Sequence, residues 1–261
     1  MTRSARFLIA TALGLVACRG MSPLTNKIEV GAEPFLVMVG ESQDGQTDLF
    51  AVSAGGGEVT RLTFTRGIES GPALDPSGSA VAFLRRPPGQ PDGAAWLVVM
   101  NLVNSAEREA MVPAALGTAR RIGWSRDGRS LYLRADSGIA LTPAPPATMA
   151  LQPLDSTDPG LAQADSALSI LLGDPAMARV ESCATDCIST ASGKQCVVSA
   201  SGERQELGPT VRSPLRWGTD SLGYLEDDQL MVRPLAGGRP RRVMWVRPPK
   251  PVREVTYWGP G

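Results

Sequence analysis

The chain has 261 residues and no histidine, so carboxylates, Lys, Tyr and Cys are the side chains left to act as catalysts. Ser-His-Asp and Cys-His pairs, His-ligated zinc and an imidazole base are all excluded. Three of the four cysteines, Cys183, Cys187 and Cys196, fall within 14 residues. As a metal site they would offer three thiolates and no fourth Cys or His, so no metal is expected. In an oxidising compartment such thiols pair. Ser192-Gly193 supplies a turn that would set Cys187 opposite Cys196, Cys183 is the alternative partner, and one thiol is left over.

The acidic residues offer little more. Glu226-Asp227-Asp228 is the densest cluster, but it separates two strand-like runs and reads as a solvated hairpin tip. Asp155, Asp158 and Asp165 lie in a segment rich in Pro, Gly, Ser and Thr, without the alternating spacing of a calcium loop. Ser125-Arg-Asp-Gly128 lacks the residues that would make it a sialidase-type Asp box. Lys+Arg and Asp+Glu number 26 each, and this balance gives no electrostatic reason to expect nucleic acid.

Residues 1–17 read as an export signal. Arg3 and Arg6 form a basic start, and the ten residues Phe7 to Val16 form an apolar run too short to span about 30 Å of hydrocarbon. The sequence Leu15-Val16-Ala17-Cys18 then resembles a bacterial lipobox. The resemblance implies that Cys18 is acylated and becomes the mature N-terminus. Arg19, which is not Asp, implies passage to the periplasmic face of the outer membrane. Residues 18–33 read as the lipidated Cys and a polar tether, with the folded body over 34–261.

The elements that would position any chemistry come from a repeat. Gly71-Pro-Ala-Leu-Asp-Pro-Ser-Gly78 precedes the strand Ala80–Leu84, and Arg121-Ile-Gly-Trp-Ser-Arg-Asp-Gly128 precedes Ser130–Leu133. A degenerate copy at 213–220 precedes Ser221–Leu225, and another begins at Glu254. The large residues before each turn are Leu74, Trp124, Leu172, Trp217 and Trp258, spaced by 50, 48, 45 and 41. That period fits a four-stranded propeller blade. Val, Leu, Phe and Trp runs bounded by Gly and Pro are strand signals, and no segment has a convincing helical period.

Residues 48–86, DLFAVSAGGGEVTRLTFTRGIESGPALDPSGSAVAFLRR, resemble the repeat of TolB-type, WD-like β-propellers. The likeness is good over 35–86, fair over 120–134 and 213–245, and poor over 140–200, and Ser77 replaces the Asp of the family turn. The resemblance implies an all-β propeller of four-stranded antiparallel blades. Five blades are favoured and six are possible. The first unit lacks its opening strand and the chain ends on one, so the terminal strands should pair and close the ring.

Three of the five tryptophans occupy the marker position, which argues for packing between blades over a sugar platform. Insertions at 87–93 and 143–159 are the loops best placed to carry function. The expectation is a monomeric, non-catalytic lipoprotein without cofactor that binds a protein or cell-envelope component and meets the membrane through its lipid alone. The alternative is a carbohydrate-active or lactonase-like propeller enzyme using carboxylates or a cation at the central channel. Asp48, Asp127 and Asp220 are the first residues to examine for that chemistry.

Overall fold

A computed structural model describes residues 22–41, 45–91, 93–172, 178–182, 195–199, 204–206, 210–236 and 238–260, with side-chain surroundings for those outside 170–209. Among the described residues the strands form five four-stranded antiparallel units, the first two joined into one eight-stranded sheet by a single parallel pair, Thr47 with Ile68. Blade 1 runs from Val252–Trp258 through Phe35–Glu41 and Thr47–Ser53 to Thr60–Arg61. Blade 2 comprises Ile68–Leu74, Ala80–Arg86, Trp96–Asn101 and Glu107–Met111; blade 3 comprises Ala119–Trp124, Ser130–Ala135, Gly138–Pro143 and Gln152–Pro153. Blade 4 comprises Ile170–Leu172, Ala178–Ser182, Gln195–Ser199 and Arg204–Glu206; blade 5 comprises Arg212–Trp217, Ser221–Glu226, Gln229–Pro234 and Arg241–Arg242.

The first strand of each blade lies innermost, around a central channel. Blade 1 takes its inner strand from the C-terminal end of the chain, with Phe35 opposite Trp258 and Met38 opposite Val255. This pairing closes the ring. A short parallel bridge of Trp245–Val246 with Gly57–Glu58 adds a second link between blades 5 and 1.

The period of two along a strand explains the packing. In Phe35–Glu41 the residues Phe35, Val37 and Val39 join the core shared with Val81, Phe83, Val98 and Met100 of blade 2. Leu36 and Met38 point the other way, into the core shared with Leu215, Trp217 and Val232 of blade 5. Both faces are buried, so the run is apolar throughout instead of alternating. Blade 2 repeats the pattern, with Ala82, Leu84, Leu97 and Val99 turned toward Ile122, Leu131 and Leu133 of blade 3.

Leu74, Trp124, Leu172, Trp217 and Trp258 are the last residues of the five inner strands. Their aromatic members tie neighbouring blades together. Trp258 Nε1 donates to Pro76 O at 2.9 Å, Trp124 Nε1 donates to Ala73 O at 2.9 Å, and Trp217 stacks on Tyr257 at 4.5 Å. Gly78, in the left-handed region at φ +72°, lies under the Trp258 ring, where a Cβ would come within 2.5 Å of it. The turn Asp75–Gly78 is braced by Asp75, whose carboxylate accepts from Ser77 N and Ala80 N. Ser125 does the same work in blade 3 by accepting from Ser130 N.

Two expectations are corrected. Residues 22–33, expected within a tether, are packed onto the blades: Leu24 and Ile28 are buried in the core shared by blades 1 and 2, and Ser22 Oγ donates to Leu102 O at 2.5 Å. A helix also occurs, Leu161–Leu168, in the segment expected as loop. It is short, and Ala164 and Leu168 fix it against Tyr132 and Ile139 of blade 3. Packing against a sheet stabilises a two-turn helix that would not persist alone.

Candidate functional site

The central channel holds a cavity of about 670 Å³ lined by residues of the inner strands. Among the described residues its charged lining is lopsided: Arg86, Arg120, Arg121, Arg216 and Arg253 against Glu254. The chain as a whole is neutral, so this is a local concentration of positive charge. Pro91, from the first insertion, reaches the same cavity, and Pro88 and Gly89 line an adjoining one of about 530 Å³ that shares Arg86, Arg253 and Glu254. The second insertion leads into the helix, whose last residues Ala167 and Leu168 also face the channel.

These side chains also stitch the inner ring together. Glu254 of blade 1 accepts from Gly71 N of blade 2 at 2.5 Å. Arg86 of blade 2 donates to Ser70 Oγ at 3.0 Å and to Ala119 O of blade 3 at 3.3 Å. Arg121 of blade 3 donates to Leu168 O at 2.8 Å, at the helix C-terminus where carbonyls favour a cation. Ser213 of blade 5 donates to Val255 O and accepts from Val255 N of blade 1. Arg120 pairs with Asp136 and Arg253 with Glu41, each at 2.7 Å.

Burial shapes the charges. Desolvation pushes the Glu254 carboxyl above the usual range, against the Gly71 N–H and the nearby Arg86 and Arg253. Desolvation lowers the Arg121 guanidinium, and the charge of Arg134 adds to it. The sign for Glu254 follows. A carboxyl raised above its unfolded value of 4.5 contributes stability that is fully present below pH 4.5 and lost as pH rises through the folded pKa. Wild type is therefore expected to lose stability relative to Glu254→Gln as pH rises from 4 toward 7. Urea midpoints of the two proteins across that range measure the difference, and a gap that does not change with pH overturns it.

The three carboxylates first examined for catalysis do not reach this channel. Asp48 is fully buried on the third strand of blade 1, where it pairs with Arg61 at 2.5 Å and accepts from Thr65 N. Thr63 links it to Glu69 of blade 2, whose carboxylate also takes Arg85, Thr65 and Leu49 N. The pair forms a lock between two blades. Asp127 is exposed and braces its own turn through Ser125 and Arg129 N, and the Ser125 hydroxyl chiefly holds its carboxyl low. Asp220 is exposed in the turn before Ser221.

The other acidic residues have local duties. Asp227 and Asp228, at φ +49° and +60°, form the tip of the hairpin in which Glu226 pairs with Gln229. Asp155 holds Thr157, Asp158 accepts from Gly160 N, and Asp165 pairs with Arg134. Among the described residues no group of acids, Cys and His is arranged to hold a metal ion. Cys18, Cys183 and Cys187 lie outside the described residues. Cys196 is on the third strand of blade 4, opposite Glu181 and Glu206.

The channel arginines went unrecognised in the sequence. A signal was present: Arg121 and Arg216 stand three and one residues before the markers Trp124 and Trp217, and Arg253 stands in the closing strand, all inside otherwise strand-like runs.

No protein-family model and no curated protein matches the sequence. Solved structures do. A chain of the nidogen/laminin complex aligns with TM-score 0.52 and 12% identity over 86% of this chain and 98% of its own. TolB from Acinetobacter baumannii aligns with TM-score 0.44 and 12% identity over 80% of this chain, which spans about half (52%) of that protein. TolB from Agrobacterium tumefaciens gives 0.37 and 10%, over 81% of this chain and 69% of its own. At such identities the likeness speaks to architecture alone. With the sheets described above, the likeness to the nidogen/laminin chain establishes that the chain is a β-propeller of four-stranded antiparallel blades.

Proposed function

We propose that this chain is a non-catalytic propeller lipoprotein, held at the periplasmic face of the outer membrane through Cys18, that binds a protein or envelope partner at the mouth of its channel. The observation that carries the reading is the charged lining of the cavity, five arginines and one glutamate among the described residues. Such a lining suits recognition of anionic groups by fork-shaped donors. General acid-base chemistry by paired carboxylates would ask for a second acid beside Glu254. The 87–93 insertion at the same mouth gives a partner a loop to grip on a rigid frame.

The test has two arms. Labelled palmitate should enter the wild type and not Cys18→Ser, and equal labelling of both removes the anchor. Pull-down from an envelope fraction should recover a stoichiometric partner, lost when residues 87–93 are replaced by a short Gly-Ser link and weakened at high salt. A hydrolase or lactonase activity abolished by Glu254→Gln would overturn the non-catalytic reading.

A further inference from the structure

We infer that the channel cavity holds a binding site for one oxyanion, the carboxylate or phosphate of a ligand, between Arg121 on blade 3 and Arg216 on blade 5. Arg216 is the last residue but one of its inner strand, so the site lies along the channel from the mouth at Arg86 and Arg253, and its use in the cell rests on the reading above.

Both arginines line the same 670 Å³ cavity, from blades that are not neighbours. Each makes one hydrogen bond to a backbone carbonyl: Arg121 Nη1 to Leu168 O at 2.8 Å and Arg216 Nε to Gly218 O at 2.8 Å. A guanidinium carries five N–H groups, so most donors of both remain unspent. No carboxylate among the described residues forms an ion pair with either one. Nearby acids are engaged elsewhere. Glu254 accepts from Gly71 N and faces Arg86 and Arg253, Glu41 takes Arg253, and Asp136 takes Arg120.

Arg121, partly withdrawn from water and without a carboxylate partner among the described residues, is a cation that an oxyanion relieves, and the exposed Arg216 on the same cavity wall supplies a second fork of donors. The lowered pKa of Arg121 agrees with this: burial opposes its charge and Arg134 opposes it further. Ser169, Thr256 and Tyr257 share the cavity wall and add polar edges. The volume lies within the usual range for small-ligand sites, roughly 300–1,000 Å³.

The probes are inorganic phosphate and succinate, titrated into the purified full chain at constant ionic strength with chloride as the reference. Binding is followed by calorimetry and by the shift in Tm. At least one of the two should bind saturably and raise Tm beyond chloride. A response to phosphate alone or to succinate alone supports the site and identifies which source supplies the oxyanion. Arg216→Gln should weaken that affinity about tenfold or more, since a charge-assisted hydrogen bond is lost. Arg216 is exposed, so this variant keeps its fold, which its melt without added anion verifies. Arg121→Lys, which keeps the charge and loses the fork, should weaken it as well. Indifference of the wild type to both anions, or wild-type affinity in both variants, overturns the inference. The titration needs no partner, so failure of the pull-down and failure of this site are separate results.

Discussion

Glu69→Ala is expected to lower the unfolding free energy by roughly 3–5 kcal/mol, the range for removing one member of a buried, hydrogen-bonded ion pair. Glu69 is 1% exposed and sits where blades 1 and 2 meet. Its carboxylate accepts from Arg85 of its own blade and from Thr63, Thr65 and Leu49 N of blade 1. Alanine would strand those donors in a place that water does not readily reach. Arg85 would keep Glu107 as a partner, so the loss falls chiefly on the blade 1 groups. Glu69→Gln retains an acceptor of nearly the same shape and should lose about 1–3 kcal/mol. Urea unfolding of the three proteins gives the comparison. A loss below about 1 kcal/mol in Glu69→Ala would mean the lock is not holding the blades.

A still larger effect is expected from the closing strand. Deleting residues from Val252 onward should abolish the folded monomer. Phe35–Glu41 would become an edge strand, and Leu36 and Met38, now fully buried, would lose Val252 and Val255 from their core. An exposed apolar edge seeks another chain, so the truncated protein should appear in aggregates or higher oligomers. Trp258→Ala is the milder version, with an expected loss of about 3–5 kcal/mol for a large buried aromatic. Its ring meets Phe35 at 5.8 Å, covers Gly78 and donates to Pro76 O. Size-exclusion chromatography with thermal melts tests both. A truncated chain that stays monomeric and melts cooperatively would show that closure is dispensable.

Much of the architecture was legible because a blade writes two periodic signals into its sequence. One is the turn with its Asp75 or Ser125 brace; the other is the large residue that ends each inner strand. Both are local. The helix was hidden because its eight residues offer a face of two leucines and two alanines, Leu161, Ala164, Ala167 and Leu168. The docked segment 22–33 was hidden because its signal is only Leu24, Ile28 and the half-buried Val30 in a polar stretch.

The site was much less legible. Asp48 looked available for catalysis because its partners come from Arg61, Thr63 and Thr65, a strand away. Arg120 and Arg121 are indistinguishable in the sequence, yet one reaches Asp136 and the other the helix C-terminus. Which arginines converge on the channel depends on the radial stacking of blades 50 residues apart, and no local pattern records that.

The seating of Ser22 against Leu102 has a geometric consequence for the proposed anchor. Three residues separate Cys18 from Ser22, and four Cα steps of extended chain span no more than about 14 Å. A lipid on Cys18 would then work as a short hinge, with no slack for the body to tumble. Leu102 adjoins Ser79, in the turn that follows the inner strand of blade 2. That rim would lie toward the lipid headgroups. The opening lined by Arg86, Arg253 and the 87–93 loop sits at the other end of the inner strands, and would look outward into the periplasm like the mouth of an upright cup.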